Sequence, residues 1–215
     1  MGIFSNIFSR PKDAEEIASG VAMFIAQSSF DKFREKEFKN LLNFEQIGQE
    51  EQDRIFNELV VTGLCLIYLT LERGERENPN AKSQNTFRQI KNQIVGGYVH
   101  TLTQGGVSKE LTDLWYQLVA MRCEEYRYDY KTHKKMFSDG RENYWVHVCA
   151  IGGSDHICRG KNALIEKLLP DISKWCGKIY IESMRILAKE LHATLAATGK
   201  TTQVNIKDDG SLDLK

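Results

Sequence analysis

Apolar residues recur along most of the chain at the three- and four-residue spacing of an amphipathic helix. The first helix is predicted to begin after Pro11, where Asp13 and Glu16 have the spacing of a capping box. A later segment, from about 49 to 72, starts amphipathic and becomes apolar on all sides, which predicts a central helix covered by its neighbours. The apolar run within it, residues 59–71, is shorter than the ~20 residues of a membrane span, so a buried core helix is favoured.

Glycine and proline pairs predict where the helices begin and end. Asn78–Pro79 has the form of an N-cap followed by proline at the first helical position. Gly105–Gly106 predicts a helix end, and Gly96–Gly97 indicates either a break or the close approach of a neighbouring backbone. A further break is predicted at Gly152–Gly153, with Ser154 or Asp155 capping the helix that follows. Pro170–Asp171 is predicted to start the last helix.

The apolar period changes to two near the end of the chain. Four apolar residues alternate with polar ones on either side of an Asp-Asp-Gly turn, namely Val204, Ile206, Leu212 and Leu214. This is a hairpin signal, and a hairpin alone is marginal in water. We therefore expect the tail to dock on the helices or to pair with another chain.

These patterns predict an all-α fold of about seven helices in one bundle-like domain, with a short C-terminal β-hairpin-like tail. The predicted organisation is an amphipathic leader at 1–11, a helical domain at 12–198 and a hairpin-like or flexible tail at 199–215.

Composition narrows the classes of function. Lys plus Arg and Asp plus Glu each number 29, so the formal net charge is zero and nucleic acid is disfavoured as a partner. Zero net charge also gives little repulsion between copies, which favours a homo-oligomer. The five cysteines are an odd number, which fits free thiols in a cytoplasmic protein better than a disulfide framework.

Residues 147–158, HVCAIGGSDHIC, contain two His-x-Cys triplets. His147, Cys149, His156 and Cys158 are ligand types of tetrahedral zinc, but structural zinc sites usually place two to four residues between ligands. On a helix, residues two apart lie ~200° apart around the axis and cannot share one ion. The spacing predicts no bound metal, and the four residues stay weak candidates.

Nucleophilic chemistry at Cys158 is the alternative use of this segment. Arg159 follows it, and a cation or a helix N-terminus favours the reactive thiolate. No partner base can be assigned from the sequence, so a buried and inert thiol is favoured. No phosphate-loop, dinucleotide-binding, nucleophile-elbow or zinc-protease motif occurs, and no cofactor is predicted.

A stripe of ionisable residues lies on the helix predicted from Ser108 to about 137. Arg122, Glu125, Asp129 and His133 follow one another at spacings of three, four and four. Such a ladder beside an apolar face is either a pocket wall of an enzyme or metal-binding bundle, or a solvated series of ion pairs.

The leader carries four large apolar residues on one side of a helical turn and a half, Ile3, Phe4, Ile7 and Phe8, followed by Arg10 and Lys12. This is the form of a small membrane-interface anchor or of a peptide that fits a groove, and folding back onto the domain is the alternative.

The sequence favours a non-enzymatic helical interaction or regulatory protein that acts through its termini or a helix face. A protein partner is expected, which includes a second copy of the chain. Localisation is predicted to be cytoplasmic, with peripheral contact at the inner membrane surface as an option. The alternative is an enzyme or metal-binding bundle that uses the Arg/Glu/Asp/His stripe at 108–137.

Overall fold

The computed structural model describes residues 12–133, 144–197, 204–206 and 212–214, and for 191–197 and the last two segments it describes the backbone. Seven α-helices occupy these residues: α1 (Ala14–Arg34), α2 (Lys36–Leu41), α3 (Gln49–Glu77), α4 (Ala81–Gln104), α5 (Lys109–His133), α6 (Tyr144–Cys158) and α7 (Asn162–Ala197). A 3-10 turn, Phe44–Gln46, connects α2 to α3. The predicted all-α class is confirmed.

Two three-residue segments follow α7. These are β1 (Val204–Ile206) and β2 (Leu212–Leu214), aligned antiparallel with Val204 opposite Leu214. Two strands of three residues are too short to establish a hairpin as part of the fold. The hairpin-like tail therefore stays a prediction.

Helix α3 lies at the centre of the fold, in contact with α1, α4, α5, α6 and α7. Its middle is buried without interruption from Glu58 to Ile67, which agrees with the predicted apolar surroundings. In the described part of the chain, α3 alone is long and apolar enough to cross a membrane. Because 72% of its most apolar window is buried inside the structure, this is weak evidence for a span.

Helix α1 begins as predicted and packs closely on α4. The Asp13 side chain accepts from the Glu16 backbone N–H, and the Glu16 side chain accepts from the Asp13 N–H, so both halves of the capping box are present. At Gly97, an added Cβ would lie 2.7 Å from the Ser19 Cα atom. Gly96–Gly97 therefore marks a close backbone approach within a continuous α4.

The helix end predicted at Gly105–Gly106 is confirmed. Gly106 has a φ of 85°, a left-handed conformation that favours glycine. The Val107 N–H donates to the Leu102 carbonyl and the Gly106 N–H donates to that of Thr103. These two bonds form the Schellman arrangement that ends many helices.

The break predicted at Gly152–Gly153 is wrong. Helix α6 continues through both glycines to Cys158, and Asp155 lies inside it. An added Cβ at Gly152 would lie 2.3 Å from the Tyr126 ring, and one at Gly153 would lie 2.6 Å from Thr62 Oγ1. Close packing on α5 and α3, rather than a turn, accounts for the pair.

The prediction that the last helix starts at Pro170–Asp171 is also wrong. Helix α7 begins at Asn162 and contains Pro170, which removes one backbone donor without ending the helix. The chain turns instead at Arg159 and Gly160, whose φ angles are 51° and 68°.

The N-cap of α4 lies two residues later than predicted. Asn80, and not Asn78, accepts from the backbone N–H groups of Lys82 and Ser83. Asn78 Oδ1 accepts instead from the Asn80 N–H, so the two asparagines form successive turns around Pro79.

Candidate functional site: a groove between α5 and α6

The predicted stripe on α5 forms one wall of a groove. Glu125, Asp129 and His133 follow at four-residue spacing and line it together. Arg122 belongs to the same stripe but turns toward α3, where its guanidinium meets Glu58. The structure therefore brings three of the four predicted residues to one surface and places the fourth behind them.

Helix α6 forms the other wall. Val148, Ile151 and Gly152 supply an apolar lining, and Asp155 and His156 follow one turn later. The groove has a volume of about 500 Å³. Because α6 is not interrupted at its glycines, both polar residues face α5 and not a separate loop.

An ion-pair chain runs from α3 to the groove. Glu58 Oε1 lies 2.8 Å from Arg122 Nη2, and Arg122 Nη1 lies 3.1 Å from Glu125 Oε2. Glu125 in turn lies 2.9 Å from His156 Nε2. Side-chain exposure rises from 9% at Glu58 to 41% at Glu125 and is 24% at His156. The buried pair thus orients Glu125 and, through it, the imidazole.

Arg54 of α3 fixes the end of α6. Its guanidinium donates to the carbonyl oxygens of His156 and Ile157, both at 2.8 Å. These carbonyls are at the end of the helix, where the regular intrahelical donors are missing, and that of His156 also accepts from the Arg159 N–H. The contact holds the backbone of His156, while its ring lies in the groove beside Glu125.

Asp129 has a perturbed titration. Burial raises the pKa of its carboxyl group, and the charges of Glu125 and Asp155 raise it further, while His133 and His156 oppose the shift. Titratable groups with shifted pKa values in a cleft are candidates for functional sites. Asp129 is the residue of this groove that meets that description.

The two His-x-Cys triplets do not form one site. His147 is exposed and Cys149 is fully buried, so the two side chains of the first triplet lie on different faces of α6. His156 lines the groove, whereas Cys158 is buried. This is the separation expected for residues two apart on a helix.

The five cysteines are free and buried. Cys158 is the last residue of α6, at the end where the helix dipole disfavours an anion, and burial raises its pKa to about 11. The sequence-based alternative placed it near a helix N-terminus, which the structure contradicts. Burial also raises the pKa of Cys65, Cys149 and Cys176. Reactive cysteines need the opposite environment.

No group of three or more His, Cys, Asp or Glu side chains in the described part of the chain is arranged to hold a metal ion. The leader residues Ile3, Phe4, Ile7 and Phe8 lie outside the described residues. Val204, Ile206, Leu212 and Leu214 are described by their backbone alone.

Sequence reasoning missed two contributors to the site. Asp155 follows two glycines, a pattern that predicts a helix cap and hides its place in the groove. Glu58 adjoins the central apolar run. A signal for Glu58 was available, because a carboxylate on a helix that is apolar all round requires a buried cation. The sequence did not indicate that Arg122 supplies it.

Comparison with family models, curated proteins and solved structures gives no match for this chain.

Proposed function

We propose that this protein is a non-enzymatic helical interaction protein whose α5–α6 groove receives a basic side chain of a protein partner. One observation carries the proposal: three carboxylates and an aliphatic wall face the same groove. Glu125 is already paired with Arg122 and His156, so Asp129 and Asp155 are the carboxylates that an incoming cation would meet. The stem of a lysine or arginine would pack on Val148 and Ile151.

A pair of peptides tests the proposal. A short fluorescent peptide of alternating arginine and leucine should bind, and the matching glutamate–leucine peptide should not, when both are followed by anisotropy. The variant Asp129→Asn/Asp155→Asn should bind the basic peptide at least about tenfold more weakly, because charge-assisted hydrogen bonds contribute ~1.5–3 kcal/mol each. Asp113→Asn, on an exposed part of α5, is the control. Unchanged binding by the double variant would contradict the proposal.

An enzyme or metal-binding site in the same groove is the second candidate. The pairing of His156 with Glu125 and the raised pKa of Asp129 favour it, because general acid–base catalysis uses such groups. Calorimetry with Zn²⁺ and Mn²⁺ tests the metal-binding form. Binding of one ion per chain that His133→Ala/His156→Ala abolishes would support this candidate over the peptide-binding one.

The two termini are proposed as further contact elements of a cytoplasmic protein. The leader would bind a partner's groove or the inner membrane surface through its apolar side. The tail would act as a hairpin that docks on the helices or pairs with another chain. Amide exchange across 202–215 at low and high protein concentration tests the tail, and fast exchange at both would contradict this role.

A further inference from the structure

Helix α5 carries an apolar stripe on the side that faces away from the core. Its inner side is formed by the buried residues Thr112, Val119, Cys123 and Tyr126. The outer stripe, here named the α5 stripe, consists of Leu111, Leu114, Leu118, Met121 and Tyr128. Leu118 is partly buried, and the other four side chains are between 48% and 69% exposed. Large apolar side chains aligned in this way on a surface mark interaction sites.

The spacing of the stripe is that of a helix–helix seam. Its members follow at intervals of three, four and three residues, and Glu125 occupies the next position before Tyr128. Alternation of three and four keeps every member on one side of a pair of helices that cross at a small angle. The stripe runs from Leu111 to Tyr128 and gives a seam of about 26 Å.

We infer that a second copy of this chain covers the α5 stripe, with the two α5 helices packed antiparallel about a two-fold axis near Leu118 and Met121. In this arrangement Leu118 of one copy faces Met121 of the other, and Leu111 faces Tyr128. An isologous contact of this kind is self-complementary and closes as a dimer.

Charges beside the stripe select the antiparallel orientation. With Leu118 opposite Met121, Glu110 of one copy lies beside Lys131 of the other, and the contact occurs twice by symmetry. A parallel pair would instead bring Glu124 near Asp129 of the second copy, which are like charges. Antiparallel packing also aligns the helix dipoles favourably.

Size and net charge permit such a dimer. At ~100 Å² for each of five side chains, the two copies bury about 1,000 Å², the lower bound of a specific interface. The net charge of zero gives little repulsion between copies. The five residues of the stripe do not line the groove, but Glu125, which lies in the same seam opposite Leu114, does. Peptide binding is therefore measured at concentrations where the chain is a monomer.

Sedimentation equilibrium of the full chain from about 1 to 200 µM tests the inference, a range that covers affinities typical of a small interface. We expect a reversible monomer–dimer equilibrium. Leu114→Glu/Met121→Glu should weaken association at least about tenfold, because it buries four like charges in the seam. Ile181→Glu on α7, a residue of similar exposure, should leave it unchanged. Circular dichroism checks that each variant is folded.

A charge exchange tests the orientation. Glu110→Lys and Lys131→Glu should each weaken the dimer, and the combined variant should restore it at low salt. A monomer at every concentration would overturn the inference. A dimer that is indifferent to Leu114→Glu/Met121→Glu would overturn it as well, and additive effects of the two charge changes would overturn the antiparallel orientation.

Discussion

Asp129 lowers the free energy of unfolding when its carboxyl group is ionised, so its effect on stability depends on pH. Burial raises the pKa of its carboxyl group, so ionisation is less favourable in the folded chain than in the unfolded one. The cost is absent at low pH, where the carboxyl is protonated in both states, and it is fully present above the raised pKa.

The variant Asp129→Asn is therefore expected to raise the melting temperature slightly at pH 7. The gain should shrink as the pH falls toward ~3.9, the ordinary value for aspartate. Scanning calorimetry between pH 4 and 7 measures it, with Asp113→Asn as a control that should give no gain. A lower melting temperature for Asp129→Asn at pH 7 would mean that the carboxylate is stabilised by its neighbours instead.

Arg122 and Glu58 form a pair whose members depend on each other. Their side chains are 12% and 9% exposed, so removal of one leaves a charge in the interior. Arg122→Leu is expected to lower the free energy of unfolding by about 3–5 kcal/mol, measured by urea denaturation. Glu58→Leu/Arg122→Leu should recover most of that loss. A double variant no more stable than Arg122→Leu would show that the pair is not the source of the effect.

At the level of elements, two glycines test whether α1 and α4 approach as closely as the structure has them. Gly97→Ala places a Cβ 2.7 Å from the Ser19 backbone, so we expect a loss of about 2 kcal/mol in the free energy of unfolding. Gly20 lies in α1 beside Ser19, and an added Cβ there would meet nothing within 4 Å. Gly20→Ala should therefore increase the free energy of unfolding by roughly 0.5–1 kcal/mol. Chemical denaturation of both variants gives the comparison. A change of the same sign in the free energy of unfolding of both variants would contradict the close packing of α1 on α4.

Local signals predicted the helices and failed where tertiary contacts override them. Asp13–Glu16 and Gly105–Gly106 act within one turn of the chain, so their outcome could be predicted from the sequence. Gly152–Gly153 has the same composition as a helix end, but its role is set by Tyr126, which is distant in sequence. Pro170 is tolerated inside α7 although its chemistry usually marks a helix start or kink.

The same distinction explains how much of the groove could be predicted. The four-residue spacing identified Glu125, Asp129 and His133, because all three lie on one helix. Asp155 and His156 face them only because α6 passes α5 without a break. The wrong boundary therefore separated Asp155 and His156, two of the five polar residues of the groove, from the stripe on α5.

At the scale of the whole molecule, the leader is expected to be dispensable for folding. Deletion of residues 1–10 retains the Asp13–Glu16 capping box and the Lys12–Glu190 ion pair, so α1 keeps its start. The melting temperature should change by no more than a few degrees, while sedimentation with vesicles of acidic lipid should decrease. A large loss of stability would mean that the leader belongs to the core, and unchanged sedimentation would contradict its role at membranes.

The central place of α3 has a consequence during synthesis. The helix is complete at Glu77, whereas its neighbours α5, α6 and α7 lie between Lys109 and Ala197. At ~5–20 residues per second, the ribosome adds the last covering helix roughly 6–24 s after α3 is made. During that interval the segment that forms α3, which is long and apolar enough to cross a membrane, lacks the cover of α5, α6 and α7. Targeting factors and chaperones would therefore meet this segment before its own fold covers it.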